Sequence, residues 1–139
     1  MKLPALPRFG VLWTAAVVLP LATSAAMAAT PAELLAAYSA QAGSAGSPER
    51  GQAFFTATRK NDLNMNCASC HGSVPTSSGR HELTEKRIAA LAPAANSTRF
   101  TDAKKVEGWF STNCRDVLRR DCTAQEKADV LAWLISLKP

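Results

Sequence analysis

The segment Cys67-Ala68-Ser69-Cys70-His71 constrains this chain more than any other feature of its sequence. A C-x-x-C-H spacing is the attachment signal for a c-type haem, because two thiols three positions apart can bond to both vinyl groups of one porphyrin. The adjacent His71 is then held close enough to bind the iron from one face. The motif predicts one covalent haem c with its iron, attached through Cys67 and Cys70, with His71 as proximal ligand.

Two other kinds of site use a C-x-x-C pair. Structural zinc needs two further ligands, and Cys114 and Cys122 do not stand in a C-x-x-C or H-x-x-x-H spacing. A thioredoxin-like redox pair needs a βαβ setting, which a helical pattern does not supply. Haem attachment is therefore favoured over both.

Residues 1–28 have the pattern of a secretory signal peptide. Lys2 and Arg8 give a positive start, a run of 21 uncharged residues follows, and Ala26-Met27-Ala28 offers a cleavage site. An uncleaved membrane anchor is the alternative, since such a run could span a bilayer, but its proline and its late Ala, Thr and Ser disfavour it. Cleavage predicts a periplasmic cytochrome c domain over residues 29–139, with no membrane insertion afterwards.

Removing the leader lowers the net charge. The full chain of 139 residues has 16 Lys and Arg against 11 Asp and Glu, a charge of +5, and the mature part has 14 against 11, a charge of +3. That charge is set against two haem propionates, and no basic helix or basic patch with interleaved aromatics is present. Nucleic-acid binding is therefore not expected, whereas an acidic protein partner is compatible.

Four helices and no strand are predicted from caps and apolar spacing. A shorter helix is expected around residues 84–91, inside a polar region of about 61–100 that is long enough to wrap a cofactor. The four main helices are expected to begin near Thr30, Ser47, Thr101 and Thr123.

The second and last of these helices resemble the crossing helix pair of class I cytochromes c. Gly51 lets the helices approach closely, while Phe55, Trp133 and Leu134 fill the crossing. The predicted fold is all-α and class I cytochrome c-like, wrapped around one covalently bound haem, with an additional N-terminal helix.

The methionines exclude the usual sixth ligand of an electron-carrying cytochrome c. Met1 and Met27 lie in the leader, and Met65 is two positions before Cys67, so it is tied to the attachment segment. The other side chains that could take the distal position are His81, Lys86, Asn96, Lys104, Lys105 and Asn113.

Asn113 differs from the other candidates because it belongs to an apolar stripe with Trp109 and Phe110 that is expected to face the core. A buried amide without partners costs about 1–3 kcal/mol. Coordination of iron through the side-chain oxygen would satisfy it, and so would a C-cap or a hydrogen bond to the backbone. The pattern alone leaves both interpretations open.

Cys114 and Cys122 remain once the haem thiols are counted. Export brings them into an oxidising compartment, which favours a disulfide over a free buried pair. The bond closes a loop of nine residues directly after Asn113, and in the chain-entropy model it contributes roughly 2.5 kcal/mol.

Six segments occur in the order found in one family of haem proteins. They are the C-x-x-C-H motif, Leu91–Asn96, Arg99–Asp102, Val106–Phe110, Asn113-Cys114 and Cys122–Lys127. Together they resemble the SHP-type cytochromes c, which are monohaem oxygen-binding proteins of bacteria. The resemblance covers roughly Thr30 to Leu137, and the Asn-Cys pair with its second cysteine is the most specific part.

The resemblance implies that His71 and Asn113 are the proximal and distal ligands in the oxidised protein. It implies that Asn113 leaves on reduction, which opens the iron to O2, CO or NO, and that a dihaem cytochrome c is the electron donor. It also implies the Cys114–Cys122 disulfide. Trp109 and Phe110 would then line the distal pocket. Ser-Thr precedes Asn113 where a basic residue is expected, so any role of that basic side chain does not carry over.

Three functions are compatible with these observations: gas binding with electrons from a cytochrome, simple electron transfer with a permanent sixth ligand, and terminal reduction of O2, NO or peroxide. The reductase needs a proton donor near the iron. Arg115, Arg119 and Arg120 follow Asn113, but such a cluster is more often a solvated or docking face. Gas binding is favoured, no catalytic residue is assigned, and enzymatic activity is not expected.

Overall fold

The structure, a computed structural model, describes residues 29–59 and 64–139. The predicted signal peptide, residues 1–28, lies outside the described residues. In the described ranges no helix combines the length and the apolar character needed to cross a membrane. The elements are α1 (Pro31–Ala42), α2 (Pro48–Thr56), α3 (Cys67–His71), β1 (Gly79–Arg80), β2 (Arg87–Ile88), α4 (Ala103–Leu118) and α5 (Ala124–Ser136).

The longer helices begin at side-chain caps. Capping boxes at Thr30 and Thr123 start α1 and α5, and the hydroxyl of Ser47 accepts a backbone N–H at the start of α2. The cap of α4 is Asp102, one residue after the expected start, and Gly108 does not interrupt this helix. The predicted starts of the four main helices are thereby confirmed.

Residues 84–91 do not form the short helix that the sequence suggested. Here β2 pairs antiparallel with β1, which corrects the expectation that the chain contains no strand. The turn between them is closed by a hydrogen bond of 2.9 Å from the His81 N–H to the Lys86 carbonyl. Glu85 adopts a left-handed φ of 57°, which ends any helical run at this point.

α5 is the central helix, because every residue from Ala128 to Leu134 is buried. α1 and α2 both pack along it. The first core cluster, here called the α1 cluster, consists of Leu34, Tyr38, Val106, Ala128 and Leu131. The second, the α2 cluster, consists of Phe55, Val130, Trp133 and Leu134.

α2 and α5 make their closest approach at Gly51. A Cβ atom at this position would lie 2.0 Å from the carbonyl oxygen of Asp129, so only glycine fits without displacing a helix. Beside it the rings of Phe55 and Trp133 lie 4.9 Å apart. The helix-dominated fold and the glycine crossing predicted from the sequence are both present.

Candidate haem site

The C-x-x-C-H motif forms α3, a helix of little more than one turn, and Asn66 caps it. The Asn66 carboxamide oxygen accepts the backbone N–H of Ser69 at 2.9 Å, and Ser69 Oγ accepts the N–H of Asn66 at 3.1 Å. The other end of the Asn66 amide donates to the carbonyl of Thr56 at the end of α2, at 2.9 Å. Cys67 and Ala68 pack against the α2 cluster. The cap and these contacts fix the motif against the core.

Cys67 and Cys70 are half-buried free thiols, whose sulfur atoms stand for the thioether sulfurs of an attached haem. Burial raises the pKa of the Cys67 thiol to about 11, against the opposing charge of Arg59. The two sulfurs are three residues apart on one helical turn and an imidazole follows them directly. This donor set fits a c-type haem.

The His71 ring is half-buried, and its centroid lies 6.1 Å from that of Phe55. Burial, reinforced by the nearby charges of Arg99 and His81, lowers the pKa of His71 to about 4. The imidazole is consequently neutral at neutral pH, and the neutral ring is the form that binds a metal.

The β1–β2 hairpin lies directly on the attachment segment. A Cβ atom at Gly79 would lie 2.0 Å from the carbonyl oxygen of Cys70, and the N–H of Glu82 donates to Cys70 Sγ at 3.4 Å. The role of Gly79 was not predicted from the sequence. A glycine after serines indicates a turn, but the pattern does not indicate that this turn will contact the backbone of Cys70. It makes room for the attachment helix.

α4 presents Trp109 and Asn113, one helical turn apart, on an exposed face. The Trp109 side chain is 54% exposed, and within residues 29–59 and 64–139 no hydrogen bond engages the Asn113 amide. This corrects the expectation that Asn113 faces the core. The buried line of α4 includes Val106 and Cys114, and Asn113 lies at the edge of that line.

Phe110 does not share this exposed face with Trp109, although the sequence grouped the two as pocket walls. It is half-buried, packs against both core clusters and meets the ring of Tyr38 edge-on, with centroids 5.8 Å apart. Because Phe110 and Cys67 contact the same α2 cluster, α3 and α4 border the same part of the core.

Cys114 and Cys122 are joined by a disulfide, with their Cα atoms 5.6 Å apart. The bond ties the end of α4 to the start of α5, one residue after Asn113. Arg115 of this segment pairs with Asp121, at 2.8 Å between Nε and Oδ1.

The other candidates for the distal position are either hydrogen-bonded within their own segment or exposed. His81 Nδ1 accepts backbone N–H groups of its own turn at 3.2 and 3.3 Å. The Asn96 amide donates to the Ala90 carbonyl at 3.3 Å and accepts from the Thr98 hydroxyl at 2.8 Å. Lys86, Lys104 and Lys105 are exposed.

The helical fold and the C-x-x-C-H helix define a c-type cytochrome that carries one haem c. Residues 41–134 match the family model described as "Domain of unknown function (DUF1924)". The chain is 48% identical over 108 residues to cytochrome c-type protein SHP of Cereibacter sphaeroides, covering 76% of this chain and 82% of that protein. It is also 46% identical over 70 residues to cytochrome c'' of Methylophilus methylotrophus, half of this chain and 49% of that protein. The chain belongs to the DUF1924 family and to the SHP-type cytochromes c.

Two solved structures have the same fold. The structure of oxidised SHP, an oxygen-binding cytochrome c, superimposes with a TM-score of 0.71 at 46% identity and covers 78% of this chain and 97% of its own. The crystal structure of oxidised cytochrome c'' from Methylophilus methylotrophus gives a TM-score of 0.72 at 35% identity, covering 78% and 95%. These matches confirm the resemblance to the SHP-type cytochromes c inferred from the six segments and their order along the sequence.

Proposed function

We propose that this protein is a periplasmic haem c protein that accepts electrons from a dihaem cytochrome c and binds a small diatomic gas, O2, NO or CO, when Asn113 dissociates from the iron on reduction. The observation that carries the proposal is the exposed face of α4, where the Asn113 amide has no hydrogen bond to any described residue and Trp109 lies one turn away. Residues 1–28 would be the cleaved signal peptide and residues 29–139 the cytochrome domain.

Cys67 and Cys70 would hold the haem through thioether bonds, and His71 would be the proximal ligand. When bound, haem c supplies an iron that changes its charge by one electron and that takes up diatomic gases in its ferrous form. The neutral His71 imidazole and the two adjacent sulfurs are the groups that this role requires.

Asn113 would bind through its side-chain oxygen. A neutral amide oxygen is a hard donor, which suits ferric better than ferrous iron, so reduction weakens the bond. The disulfide at Cys114 fixes the backbone beside Asn113. The side chain can then leave and return without refolding of the end of α4, while Trp109 on the same exposed face would limit access to the distal side.

The relatives support the proposal by what is described for them. The solved SHP is an oxygen-binding cytochrome c, and the solution structure of cytochrome c'' from Methylophilus methylotrophus addresses haem-ligand detachment. Both properties belong to those proteins. Shared sequence and fold make the same behaviour the best-supported expectation for this chain.

Optical spectra of the ferric, ferrous and CO-treated ferrous protein test the proposal. We expect a six-coordinate ferric spectrum in the wild type, a ferrous form that binds CO, and a changed ferric spectrum in Asn113→Ala because the sixth ligand is lost. Asn96→Ala removes the other asparagine candidate and serves as the matched control, with the wild-type ferric spectrum retained.

Two outcomes would contradict the proposal. An unchanged six-coordinate ferric spectrum in Asn113→Ala removes the ligand assignment. A ferrous wild-type protein that ignores CO removes gas binding and leaves simple electron transfer with a permanent sixth ligand.

A further inference from the structure

Three polar side chains from three helices meet on the side of α4 that faces α1 and α5. The Tyr38 hydroxyl of α1 donates to Glu107 Oε2 of α4 at 2.9 Å. The Lys127 ammonium of α5 bonds to the other carboxylate oxygen of Glu107. These three residues are called the Glu107 clamp. No local sequence pattern reveals this contact, because Glu107 is 69 residues from Tyr38 and 20 residues from Lys127 along the chain.

Two members of the clamp, Tyr38 and Lys127, are largely enclosed by protein. Tyr38 is 5% exposed and the Lys127 side chain is 12% exposed, while Glu107 is half-exposed. The Lys127 ammonium lies 5.5 Å from the ring centroid of Tyr38 and 6.0 Å from that of Phe110. A lysine covered to this degree requires a charged partner, and the two aromatic faces add to its stabilisation.

The contacts within the clamp shift the pKa values of Glu107 and Tyr38 in opposite directions. The bond to the Lys127 ammonium lowers the pKa of Glu107. Burial opposes this shift, and the hydrogen bond from the Tyr38 hydroxyl adds to it. Burial raises the pKa of Tyr38, and the bond to the Glu107 carboxylate raises it more. At neutral pH the clamp is a carboxylate between an ammonium group and a neutral phenol.

The clamp is important for the position of α4, because among the described residues this helix has few other attachments to the rest of the fold. α1 and α2 pack along α5, whereas α4 reaches the core through Val106 and Phe110 and is tied at its far end by the disulfide at Cys114. Glu107 lies between these attachments, and Asn113 follows it by six residues, about 9 Å along the helix axis. The clamp therefore fixes the part of α4 that precedes the distal face.

We propose that the Glu107 clamp positions α4 so that Asn113 reaches the haem iron in the oxidised protein, and that it thereby sets how readily another ligand displaces Asn113. Tyr38, Glu107 and Lys127 are positioning residues that act through the helix. This inference rests on the proposed function, because it requires Asn113 as the distal ligand.

The affinity of the ferric haem protein for imidazole measures the strength of the Asn113 bond, because imidazole must displace it. Glu107→Gln breaks the ion pair and keeps an acceptor for Tyr38, whereas Tyr38→Phe removes the hydroxyl and keeps the ring. We expect each variant to bind imidazole roughly threefold to tenfold more tightly than the wild type. The double variant Glu107→Lys with Lys127→Glu re-forms the ion pair and is expected to move the affinity back towards wild type.

Two controls separate positioning from general weakening of the fold. Arg50→Gln removes an ion pair between α2 and α5, and it is expected to lower stability while leaving the imidazole affinity unchanged. In the Asn113→Ala protein, Glu107→Gln is expected to have no further effect on that affinity.

Equal imidazole affinities in the wild type and both clamp variants would overturn the inference. So would an effect of Glu107→Gln that persists in Asn113→Ala. Both of these leave the ligand assignment standing, whereas a wild-type imidazole affinity in Asn113→Ala itself would refute that assignment and the clamp's role with it.

Discussion

Single glycines decide how closely the backbone segments of this protein approach one another. A Cβ atom at Gly51 would overlap the Asp129 carbonyl, and one at Gly79 would overlap that of Cys70. A Cβ atom at Gly108 would meet nothing within 4 Å, although this glycine also lies inside a helix. Glycine is therefore required for close backbone contact at positions 51 and 79, whereas at position 108 it only lowers the stability of the helix.

Gly51→Ala and Gly108→Ala are expected to change stability in opposite directions. Gly51→Ala forces α2 away from α5 and should destabilise the protein by roughly 1–3 kcal/mol. Gly108→Ala, the matched control, removes backbone freedom from the unfolded chain and should stabilise it by about 0.5–1 kcal/mol. Guanidinium unfolding followed by circular dichroism measures both. Equal stability of Gly51→Ala and the wild type would contradict the close crossing.

The site residues differ in how visible they are in the sequence. Cys67, Cys70 and His71 could be assigned because their chemistry depends on spacing along the chain. Gly79 could not, because its contact is made with a backbone that only the folded chain brings near. Asn113 lies between these cases: the helical period places it in the stripe, but which edge of the stripe is covered depends on where α1 and α5 pack.

Among the helices, the contact between α2 and α5 includes one buried carboxylate, that of Asp129. Asp129 is 5% exposed and accepts hydrogen bonds from the Ser47 N–H at 2.8 Å, from the Arg50 guanidinium at 2.7 Å and from the Gln125 amide at 2.9 Å. Burial by itself would raise the pKa of Asp129, but these hydrogen bonds outweigh it and hold the pKa below the ordinary value of 3.8. The charged form is the one that joins the helices.

Stability should depend on the protonation of Asp129. A carboxyl with a lowered folded-state pKa contributes stability above its unfolded pKa of about 3.9, and that contribution is lost as the pH falls through the folded-state pKa. Asp129→Asn should therefore cost about 1–3 kcal/mol at neutral pH, because buried hydrogen bonds are lost, and the difference from wild type should shrink below about pH 4. Urea unfolding at several pH values measures it.

The exposed Asp116 on α4 offers a control for this experiment. Asp116→Asn should stay within about 0.5 kcal/mol of wild type. A difference between wild type and Asp129→Asn that is constant from neutral to acid pH would show that the carboxylate charge does not hold the two helices together.

Helix ends could be predicted and the hairpin could not, for a physical reason. A cap such as Thr30 or Thr123 is satisfied by residues within the next turn, so the signal is local. The hairpin depends on a left-handed residue, Glu85, which has no strong preference for that conformation, and on contact with Cys70. Residues 84–91 therefore looked helical and are not.

Across residues 29–139, the excess positive charge is concentrated in one part of the chain. Residues 64–105 hold six Lys and Arg against three Asp and Glu, whereas residues 29–59 and 106–139 together hold seven against seven. Several charges of the balanced part are bound in ion pairs, which are Arg50–Asp129, Arg115–Asp121, Arg120–Glu126 and Lys127–Glu107. The net positive charge of residues 29–139 thus comes from the segment that contains α3 and the hairpin.

Reduction by an acidic donor protein should consequently slow as salt is added. With reduced flavodoxin as the probe, Lys86→Gln on the hairpin should lower the second-order rate by roughly two- to fivefold at low ionic strength. Ala36→Glu on the exposed side of α1 changes the net charge by the same amount and should have little effect. Stopped-flow absorbance of the haem measures the rate, and equal slowing in both variants would show that the placement of charge is unimportant.

The burial of every residue from Ala128 to Leu134 has a consequence for how this architecture can vary in length. One residue inserted inside α5 turns everything after it by about 100°. If the insertion precedes Asp129, this side chain loses its contact with Ser47. Val130, Trp133 and Leu134 turn away from the α2 cluster, and the backbone that fits against Gly51 is displaced as well. An added loop residue does not rotate a buried helix face in this way, so we expect an insertion to be tolerated less inside α5 than in an exposed loop.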